Sequence, residues 1–175
     1  MTQPLMPLAQ HVSRLLMTTN TQIVFAESCT AGLVCAILAR VPGVSRILCG
    51  SAVVYQLATK SEWLGIDPAL LENPGPVSDD VARAMATGVL QRTPQANFSA
   101  AITGHLGPDA PDGQDGLVFV GIARRESTDI SVRTFRHELP DRMTDSTLPE
   151  PESLREWRQW KAAELVLNHV RDELE

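Results

Sequence analysis

The chain contains 175 residues, 43% of them hydrophobic and 21% charged, and it carries a formal net charge of −6 at pH 7. This is the composition of an ordinary globular domain, so disordered and collagen-like classes are excluded. A negatively charged chain argues against a nucleic-acid partner bound by phosphate neutralisation. No apolar run reaches the roughly 18 residues of a membrane span, and the N-terminus lacks the pattern of a signal peptide. We therefore expect one cytoplasmic domain over residues 1–175, without a nucleic-acid or membrane partner.

Cysteine and lysine are both scarce in the sequence. The three cysteines are odd in number and lack metal-ligand or redox spacing, so we expect reduced thiols, no metal site and no cofactor. Of the fifteen cationic residues, only Lys60 and Lys161 are lysines. Because a buried lysine can lose its proton whereas an arginine keeps it, the placement of Lys60 is informative.

Hydrophobic periodicity and turn residues predict an α/β fold, because strands and helices alternate along the chain. The last two strands form a predicted antiparallel pair, so we expect a mixed, mostly parallel sheet. The predicted helices cover about residues 8–16, a segment after 32, 57–64, a short piece from 68, 79–92 and 154–171. The predicted strands cover residues 23–26, 46–55, 98–103, 117–123 and 130–135.

Residues 22–39 are predicted to form a strand, a tight turn and a helix around which the fold is organised. An apolar run at 23–26 leads into the small polar string of residues 27–32, and an apolar segment of helical length follows. Unpaired N–H groups at a helix start favour negative charge, so a side chain in the turn faces an anion site. Ser28 is therefore a candidate nucleophile. The alternative is that Ser28 or Thr30 caps the helix, a position that serine favours.

Other groups compete for a role beside Ser28. Cys29 is a second candidate nucleophile, because a thiol at a helix start has a lowered pKa, and Glu27, Cys29 and Lys60 would then form a set like that of nitrilase-type amide hydrolases. The alternative is a buried structural cysteine. Lys60 is a candidate base for Ser28 if burial lowers its pKa, and the alternative is a solvated lysine on a helix surface. Tyr55 is a candidate for the core, an interface or a substrate-facing hydroxyl.

Thr103 and Gly104 end a predicted buried strand and begin a long loop, residues 104–116, that is rich in glycine, proline and aspartate. Backbone N–H groups at the carboxyl end of a strand can bind phosphate or carboxamide groups, so both residues are candidate ligand contacts. The three aspartates of the loop recur at every third position, which does not match a calcium loop. His105 lacks an evident partner, and we expect no role for it.

Five short motifs follow one another along the chain and together resemble one family. They are Ala26-Glu-Ser-Cys-Thr-Ala-Gly32, Val41-Pro-Gly43, Tyr55 with Lys60 and Leu64-Gly65, Gly75-Pro-Val-Ser78, and Thr103-Gly-His-Leu-Gly-Pro108. This set is similar to that of the CinA C-terminal domain family, the nicotinamide mononucleotide deamidases. The resemblance covers about residues 8–125, and its most specific part is the string Glu-Ser-Cys-Thr.

The resemblance implies a single three-layer α/β/α domain that hydrolyses a small-molecule nucleotide, nicotinamide mononucleotide, to nicotinate mononucleotide and ammonia. It implies Ser28 as nucleophile and Lys60 as base, with Tyr55 beside them. The other implied site residues bind substrate, and they are Thr30, Ala31, Gly32, Thr103 and Gly104.

The sequence departs from the family pattern at positions that would contact the ligand. Ala31 replaces a usual glycine, Leu57 replaces a usual asparagine, His105-Leu106 replaces a usual Ile-Ala, and the loop up to Gly116 is shorter and acidic. Two functions therefore stay open. Retention of the serine and the lysine favours an amidohydrolase, whereas the departures favour a catalytically silent relative that serves as a nucleotide-binding or protein-interaction module.

Two further expectations concern packing. The C-terminal helix carries Trp157 and Trp160 on a broad apolar stripe, so we expect the tryptophans to lie in the core or at a subunit interface. We also expect a homo-oligomer, most simply a two-fold dimer. We also expect the strand at 23–26 to be central in the sheet, with Phe25 buried and both terminal helices packed on it.

Overall fold

A computed structural model describes residues 5–127, 129–143 and 151–175 of the chain. Within them, five strands and six α-helices follow the predicted order. They are α1 Met6–Thr18, β1 Ile23–Glu27, α2 Leu33–Leu38, β2 Leu48–Val53, α3 Leu57–Leu64, α4 Pro68–Glu72, α5 Asp79–Gln91, β3 Phe98–Gly104, β4 Leu117–Arg125, β5 Ile130–Glu138 and α6 Leu154–Leu174. A 3-10 helix over Val44–Arg46 precedes β2, so that strand begins later than the sequence suggests.

The five strands form one mixed sheet in the order β2-β1-β3-β4-β5, which confirms the predicted fold class. β1 pairs in parallel with β2 and β3, whereas the β3–β4 and β4–β5 pairs are antiparallel. Parallel and antiparallel pairs are therefore equal in number, although four of the five strands run in one direction. The expectation that β1 is central is wrong, because the β4–β5 hairpin adds two strands beyond β3 and makes β3 the middle strand.

Helices cover both faces of the sheet and produce a three-layer structure. Side chains alternate along β1, so Ile23 and Phe25 join one buried apolar cluster while Val24 and Ala26 join the other. The terminal helices α1 and α6, with α2, cover the first face, and α3, α4 and α5 cover the second. Phe25 is fully buried, as expected. The single domain over residues 1–175 stays a prediction, because residues 1–4, 128 and 144–150 lie outside the described part.

Local sequence fixes the ends of several helices. Ser78 caps α5 by accepting a hydrogen bond from the N–H of Val81, and Asp67 caps α4 in the same way through the N–H of Ala69. Glycine permits the close contact between α5 and the sheet, because a Cβ atom at Gly121 would lie 2.4 Å from the carbonyl oxygen of Ala82. The position of α5 therefore depends on the missing side chain at residue 121.

The tryptophans of α6 contribute to the interior of the chain. Trp157 is fully buried, and Trp160 is half-buried against the apolar cluster of the first face. The stripe is broad because α6 packs against α1, α2 and the sheet together. Of the two expected locations, Trp157 therefore takes the core, and association of the chain stays a prediction. Residues 139–153, rich in proline, aspartate and glutamate, are predicted from sequence to form a solvated connector, and part of this segment lies outside the described residues.

A pair of histidines joins α6 to the edge strand β5. The Nε2 atoms of His137 and His169 lie 2.8 Å apart, and the ring of His169 stacks on Phe135 with 3.9 Å between centroids. Burial lowers the pKa of His137. Burial and the neighbouring His137 and Arg133 lower the pKa of His169 to about 4, with Asp172 acting in the opposite direction. Both rings are neutral in the folded protein at neutral pH.

We expect the protein to lose stability as the pH falls from about 6.5 toward 4. Between those values an unfolded histidine binds a proton that the folded pair does not, because the folded pKa values are lowered, so acid favours unfolding. The change His169→Phe should flatten the fall of the melting temperature across this range. Equal slopes in the wild-type and His169→Phe proteins would contradict this assignment.

Candidate active site

A pocket opens where β1, β2 and β3 end, at the edge of the sheet where parallel strands collect ligands. Five of the predicted site residues line it, and they are Ser28, Tyr55, Lys60, Thr103 and Gly104. Leu57 and His105 line it as well. The three remaining predicted residues, at positions 30–32, do not line this pocket.

Ser28 and Lys60 are in direct contact in the pocket. Ser28 follows β1, and its N–H donates to the carbonyl oxygen of Ile102 at 3.1 Å, which holds the residue against β3. Lys60 projects from α3, and its Nζ donates to the Oγ of Ser28 and to the carbonyl oxygen of Val54, both at 2.8 Å. The capping alternative for Ser28 is wrong, because α2 begins only after Gly32.

Lys60 is a buried lysine with a shifted pKa. Its side chain is 2% exposed, so the alternative of a solvated surface lysine is wrong. Burial disfavours the ammonium form and lowers the pKa from 10.5 to about 8, although the neighbouring Cys29 acts in the opposite direction. No carboxylate forms an ion pair with Nζ among the described residues. With a pKa of about 8, roughly a tenth of Lys60 is neutral at pH 7, far more than for a free lysine.

Cys29 is a thiol that stays protonated. It is 3% exposed, and burial raises its pKa to about 12, although the positive charge of Lys60 acts in the opposite direction. The expectation of a lowered pKa at a helix start is wrong here. Cys29 fits the alternative of a buried structural cysteine.

The start of α2 is occupied by a carboxylate of the chain itself. Glu27 is 1% exposed and points away from the pocket. Its Oε2 accepts hydrogen bonds from Thr30 Oγ1 at 2.8 Å and from the N–H of Val34 at 3.0 Å. Its Oε1 accepts from the N–H of Cys35 and from Ser51 Oγ, both at 3.0 Å. The predicted anion site at the start of α2 therefore exists, but Glu27 fills it.

Residues 30–32, in the turn after Ser28, shape the backbone and do not line this pocket. Thr30 is bound to Glu27, and the N–H of Ala31 donates to the carbonyl oxygen of Ser28 at 3.0 Å. Ala31 and Gly32 have φ angles of 52° and 94°, both left-handed. These left-handed φ angles direct the chain into α2, and neither Ala31 nor Gly32 lines the pocket. The prediction that both residues contact the substrate is therefore not supported. The left-handed conformation also explains why glycine is usual at position 31.

Arg155, at the start of α6, is a pocket residue that the sequence did not reveal. Its guanidinium donates to the hydroxyl of Tyr55 at 2.6 Å and to the carbonyl oxygen of Gly107 at 2.5 Å, so it joins two walls of the pocket. Tyr55 is 52% exposed and therefore faces the pocket mouth rather than the core. No local signal could have found Arg155, because it meets Tyr55 across a separation of 100 residues.

The acidic loop is held in place by a buried arginine. Arg158 is 1% exposed and binds both carboxylate oxygens of Asp115, at 2.7 and 2.9 Å. Its guanidinium also donates to the carbonyl oxygens of Leu106 and Pro140. Hydrogen bonds from Arg158 lower the pKa of Asp115. The loop aspartate thus has a structural partner, and the described residues include no cluster of three or more potential metal ligands.

Thr103 and His105 are two further residues of the pocket lining. The hydroxyl of Thr103 donates to the carbonyl oxygen of Pro76 at 2.7 Å, which ties β3 to the segment before α5. His105 was expected to have no role, yet it lines the pocket, and burial lowers its pKa.

Among the helices of the described part, none has the length and apolar character to cross a membrane.

We expect Lys60→Met to raise the free energy of unfolding at pH 7 by about 1 to 3 kcal/mol, after the lost hydrogen bonds are counted. In the unfolded chain the ammonium group of Lys60 is solvated, whereas burial in the folded protein disfavours its charge. Replacing Lys60 by methionine removes this unfavourable contribution to the free energy of folding. The gain should shrink as the pH rises from about 8 to 10.5, where the unfolded lysine also becomes neutral. Urea denaturation at several pH values measures both effects.

The control is Lys161→Met, which removes the other lysine of the chain from a half-buried position on α6. It should not reproduce this dependence on pH. A Lys60→Met protein that is less stable than wild type at every pH would contradict the assignment.

Comparison with known proteins gives a consistent result. The model of the CinA C-terminal domain family matches residues 5–149. A CinA-like protein of Mycobacterium marinum is 41% identical over an alignment of 139 residues that covers 76% of this chain and 32% of that protein. A CinA-like protein of Mycobacterium tuberculosis is 49% identical over 90 residues, 51% of this chain and 21% of that protein. The chain thus spans a third or less of the curated relatives it matches.

Solved structures share the fold. Competence damage-inducible protein A of Klebsiella pneumoniae superposes with a TM-score of 0.84 at 21% identity, covering 99% of this chain and 98% of that one. A competence/damage inducible protein of Agrobacterium tumefaciens gives 0.82 at 26% identity, covering 99% and 96%. Because the family model matches most of the chain and a relative is 41% identical over three quarters of it, the chain belongs to the CinA family and corresponds to its C-terminal domain.

Proposed function

We propose that the chain is a serine amidohydrolase that converts nicotinamide mononucleotide to nicotinate mononucleotide and ammonia. One observation carries the proposal. The Nζ of Lys60 lies 2.8 Å from the Oγ of Ser28, at the wall of a pocket, and the pKa of that lysine is lowered to about 8. A neutral amine at this distance can accept the proton of a hydroxyl and so activate it.

In the proposed reaction, the Oγ of Ser28 attacks the carboxamide carbon and passes its proton to neutral Lys60. The tetrahedral intermediate collapses when Lys60 protonates the leaving nitrogen, which departs as ammonia and leaves an acyl ester on Ser28. Water then attacks the ester and gives its proton to Lys60. The lysine returns this proton to Ser28 as the carboxylate product leaves.

The oxyanion of the intermediate needs N–H donors other than those of α2. Glu27 already accepts hydrogen bonds from the N–H groups of Val34 and Cys35. Cys29 follows Ser28 directly and lines the pocket, whereas Thr30 does not. We assign the backbone N–H of Cys29 to the oxyanion, because a backbone N–H held beside the nucleophile stabilises the negative charge that develops there.

A nucleotide substrate also needs a cationic partner for its phosphate. Arg155 lines the pocket and donates to two neutral oxygens, those of Tyr55 and Gly107. No carboxylate pairs with its guanidinium among the described residues. We assign Arg155 to the phosphate, since arginine binds phosphate through paired N–H donors.

A second candidate function is a catalytically silent nucleotide-binding or protein-interaction module. Two pocket residues favour it. Leu57 is 49% exposed in the pocket wall, where an apolar side chain offers no hydrogen bond to a polar ligand. Asp109 lines the same pocket and repels a phosphate. These residues separate this chain from the family pattern, so turnover must be tested together with binding.

We expect wild-type protein to release ammonia from nicotinamide mononucleotide and Ser28→Ala to abolish this release. Ser28→Ala removes the attacking oxygen, and Lys60→Met removes its base, so both should lose at least about 10³-fold in kcat. The double variant should be little worse than either single one, because residues that act as a unit are not additive. Ammonia release measures turnover, and calorimetric titration of Ser28→Ala with the nucleotide measures retained binding.

Cys29→Ala and Lys161→Met are the matched controls and should keep most of the activity. If Ser28→Ala stays active while Cys29→Ala does not, the nucleophile is the cysteine. A wild-type protein that binds the nucleotide without releasing ammonia supports the silent module and overturns the proposed hydrolysis.

A further inference from the structure

The helix α6 reaches the turn that follows Ser28. The side-chain amide of Gln159 donates from Nε2 to the carbonyl oxygen of Cys29 at 3.1 Å, although the two residues are 130 positions apart in the sequence. Gln159 is half-buried and is not among the residues that line the pocket. Its contact is therefore with the backbone beside the nucleophile and not with the space that a ligand would fill.

The same face of α6 also reaches the mouth of the pocket. Arg155 lies four positions before Gln159, and residues at this spacing share one face of a helix. The guanidinium of Arg155 lines the pocket and donates to the hydroxyl of Tyr55 and to the carbonyl oxygen of Gly107. One helical turn thus joins the mouth of the pocket to the turn after Ser28, and the helix sets the distance between them.

The residues between Arg155 and Gln159 hold α6 in place. Trp157 is fully buried, and Arg158 is 1% exposed and binds both carboxylate oxygens of Asp115. Rotation or sliding of the helix would expose the indole ring and separate the buried guanidinium from its partner, which is strongly unfavourable. Gln159 is therefore presented to the turn by a well-anchored element.

The bond from Gln159 restrains one of the two peptide groups that flank Cys29. The first group, between Ser28 and Cys29, is held by the N–H of Ala31, which donates to the carbonyl oxygen of Ser28 at 3.0 Å. The second group, between Cys29 and Thr30, is held by Gln159. Because a peptide group is planar, a restrained carbonyl also restrains the N–H in its plane. The bond from Ala31 is local to the turn, whereas the bond from Gln159 fixes the turn relative to α6.

We propose that Gln159 is a positioning residue, which holds the backbone of Cys29 so that the oxyanion donor and the nucleophile keep a fixed place relative to Arg155. The inference rests on the proposed function, in which the N–H of Cys29 stabilises the oxyanion and Arg155 binds the phosphate. The reacting carboxamide and the phosphate belong to one substrate, so both parts of the site must be aligned at once. A displaced donor stabilises the transition state less, while binding of the ground state is retained.

The first test removes the amide of Gln159 and keeps the length of the side chain. Gln159→Met should lower kcat for ammonia release by about tenfold or more and change KM by less than about threefold, because the lost interaction acts in the transition state. The pH at which kcat is half-maximal should stay that of wild type, because Lys60 keeps its contacts with Ser28 and Val54. Lys161→Met, which introduces the same residue on the same helix, should keep the wild-type kcat.

A second test does not require turnover. Cys29 is 3% exposed, whereas Cys35 and Cys49 are half-buried. A maleimide should label Cys29 about tenfold faster in Gln159→Met than in wild type, since loss of one hydrogen bond favours local opening of the turn by about this factor. The rates at Cys35 and Cys49 should be unchanged, and they serve as internal controls. Mass spectrometry of the labelled peptides gives each rate.

Failure of the hydrolysis and failure of this inference give different results. A wild-type protein that releases no ammonia overturns the proposed function, and the labelling rates then decide whether Gln159 holds the turn. A Gln159→Met protein that keeps the wild-type kcat, or in which Cys29 is labelled no faster than in wild type, overturns the inference. If Gln159→Met does not fold, Gln159→Glu takes its place, because a carboxylate has the same shape and cannot donate to the carbonyl oxygen.

Discussion

Burial of Lys60 beside Ser28 is the constraint on which the rest of the site depends. An ammonium group held away from water is unfavourable, and the structure offers it two neutral oxygens and no carboxylate among the described residues. The lysine therefore gives up its proton more easily than a free lysine, at a cost to stability. Three elements maintain this arrangement: β1 presents the serine, the end of β2 presents the carbonyl of Val54, and α3 presents the lysine.

The turn that presents Ser28 is stabilised by a buried charge of its own. Glu27 accepts four hydrogen bonds, two from the start of α2 and two from the hydroxyls of Thr30 and Ser51. A buried carboxylate is tolerated only when it is satisfied in this manner. The same interactions use up the N–H groups that a ligand would otherwise find at this helix, so ligand binding is left to the other side of Ser28. Glu27 thus stabilises the geometry of the turn and occupies the anion site at the start of α2.

Much of the fold could be predicted because its signals are local. The boundaries of α5 follow from the cap at Ser78 and from Thr93-Pro94, and those of α3 follow from Gly65, which adopts a left-handed conformation. The order of the strands could not be predicted in this way. Whether the β4–β5 hairpin extends the sheet next to β3 depends on packing between distant segments, and local periodicity carries no information about it.

The candidate site likewise combines features that the sequence could predict with features that depend on contacts between distant segments. Lys60 was a candidate base for Ser28 beside the alternative of a solvated surface lysine, and the family resemblance favoured the base. Two residues that are 32 positions apart in the sequence give no local signal that they are in contact. The direction of the Glu27 side chain could not be predicted, because β1 is buried on both faces and either would accept a carboxylate that is satisfied. Arg155 was missed for a related reason. A polar residue at the start of a surface helix resembles many others until the helix is placed against the pocket.

The proposed mechanism requires that Lys60 is neutral often enough to act as a base, and an NMR titration of its side chain tests this most directly. The chain contains only two lysines, so a sample with isotope-labelled lysine gives two side-chain signals, and Lys161→Arg assigns them. We expect the signal of Lys60 to titrate with a midpoint near pH 8. A midpoint near 10.5, the value of an unperturbed lysine, would contradict it, because the serine would then lack its base at neutral pH.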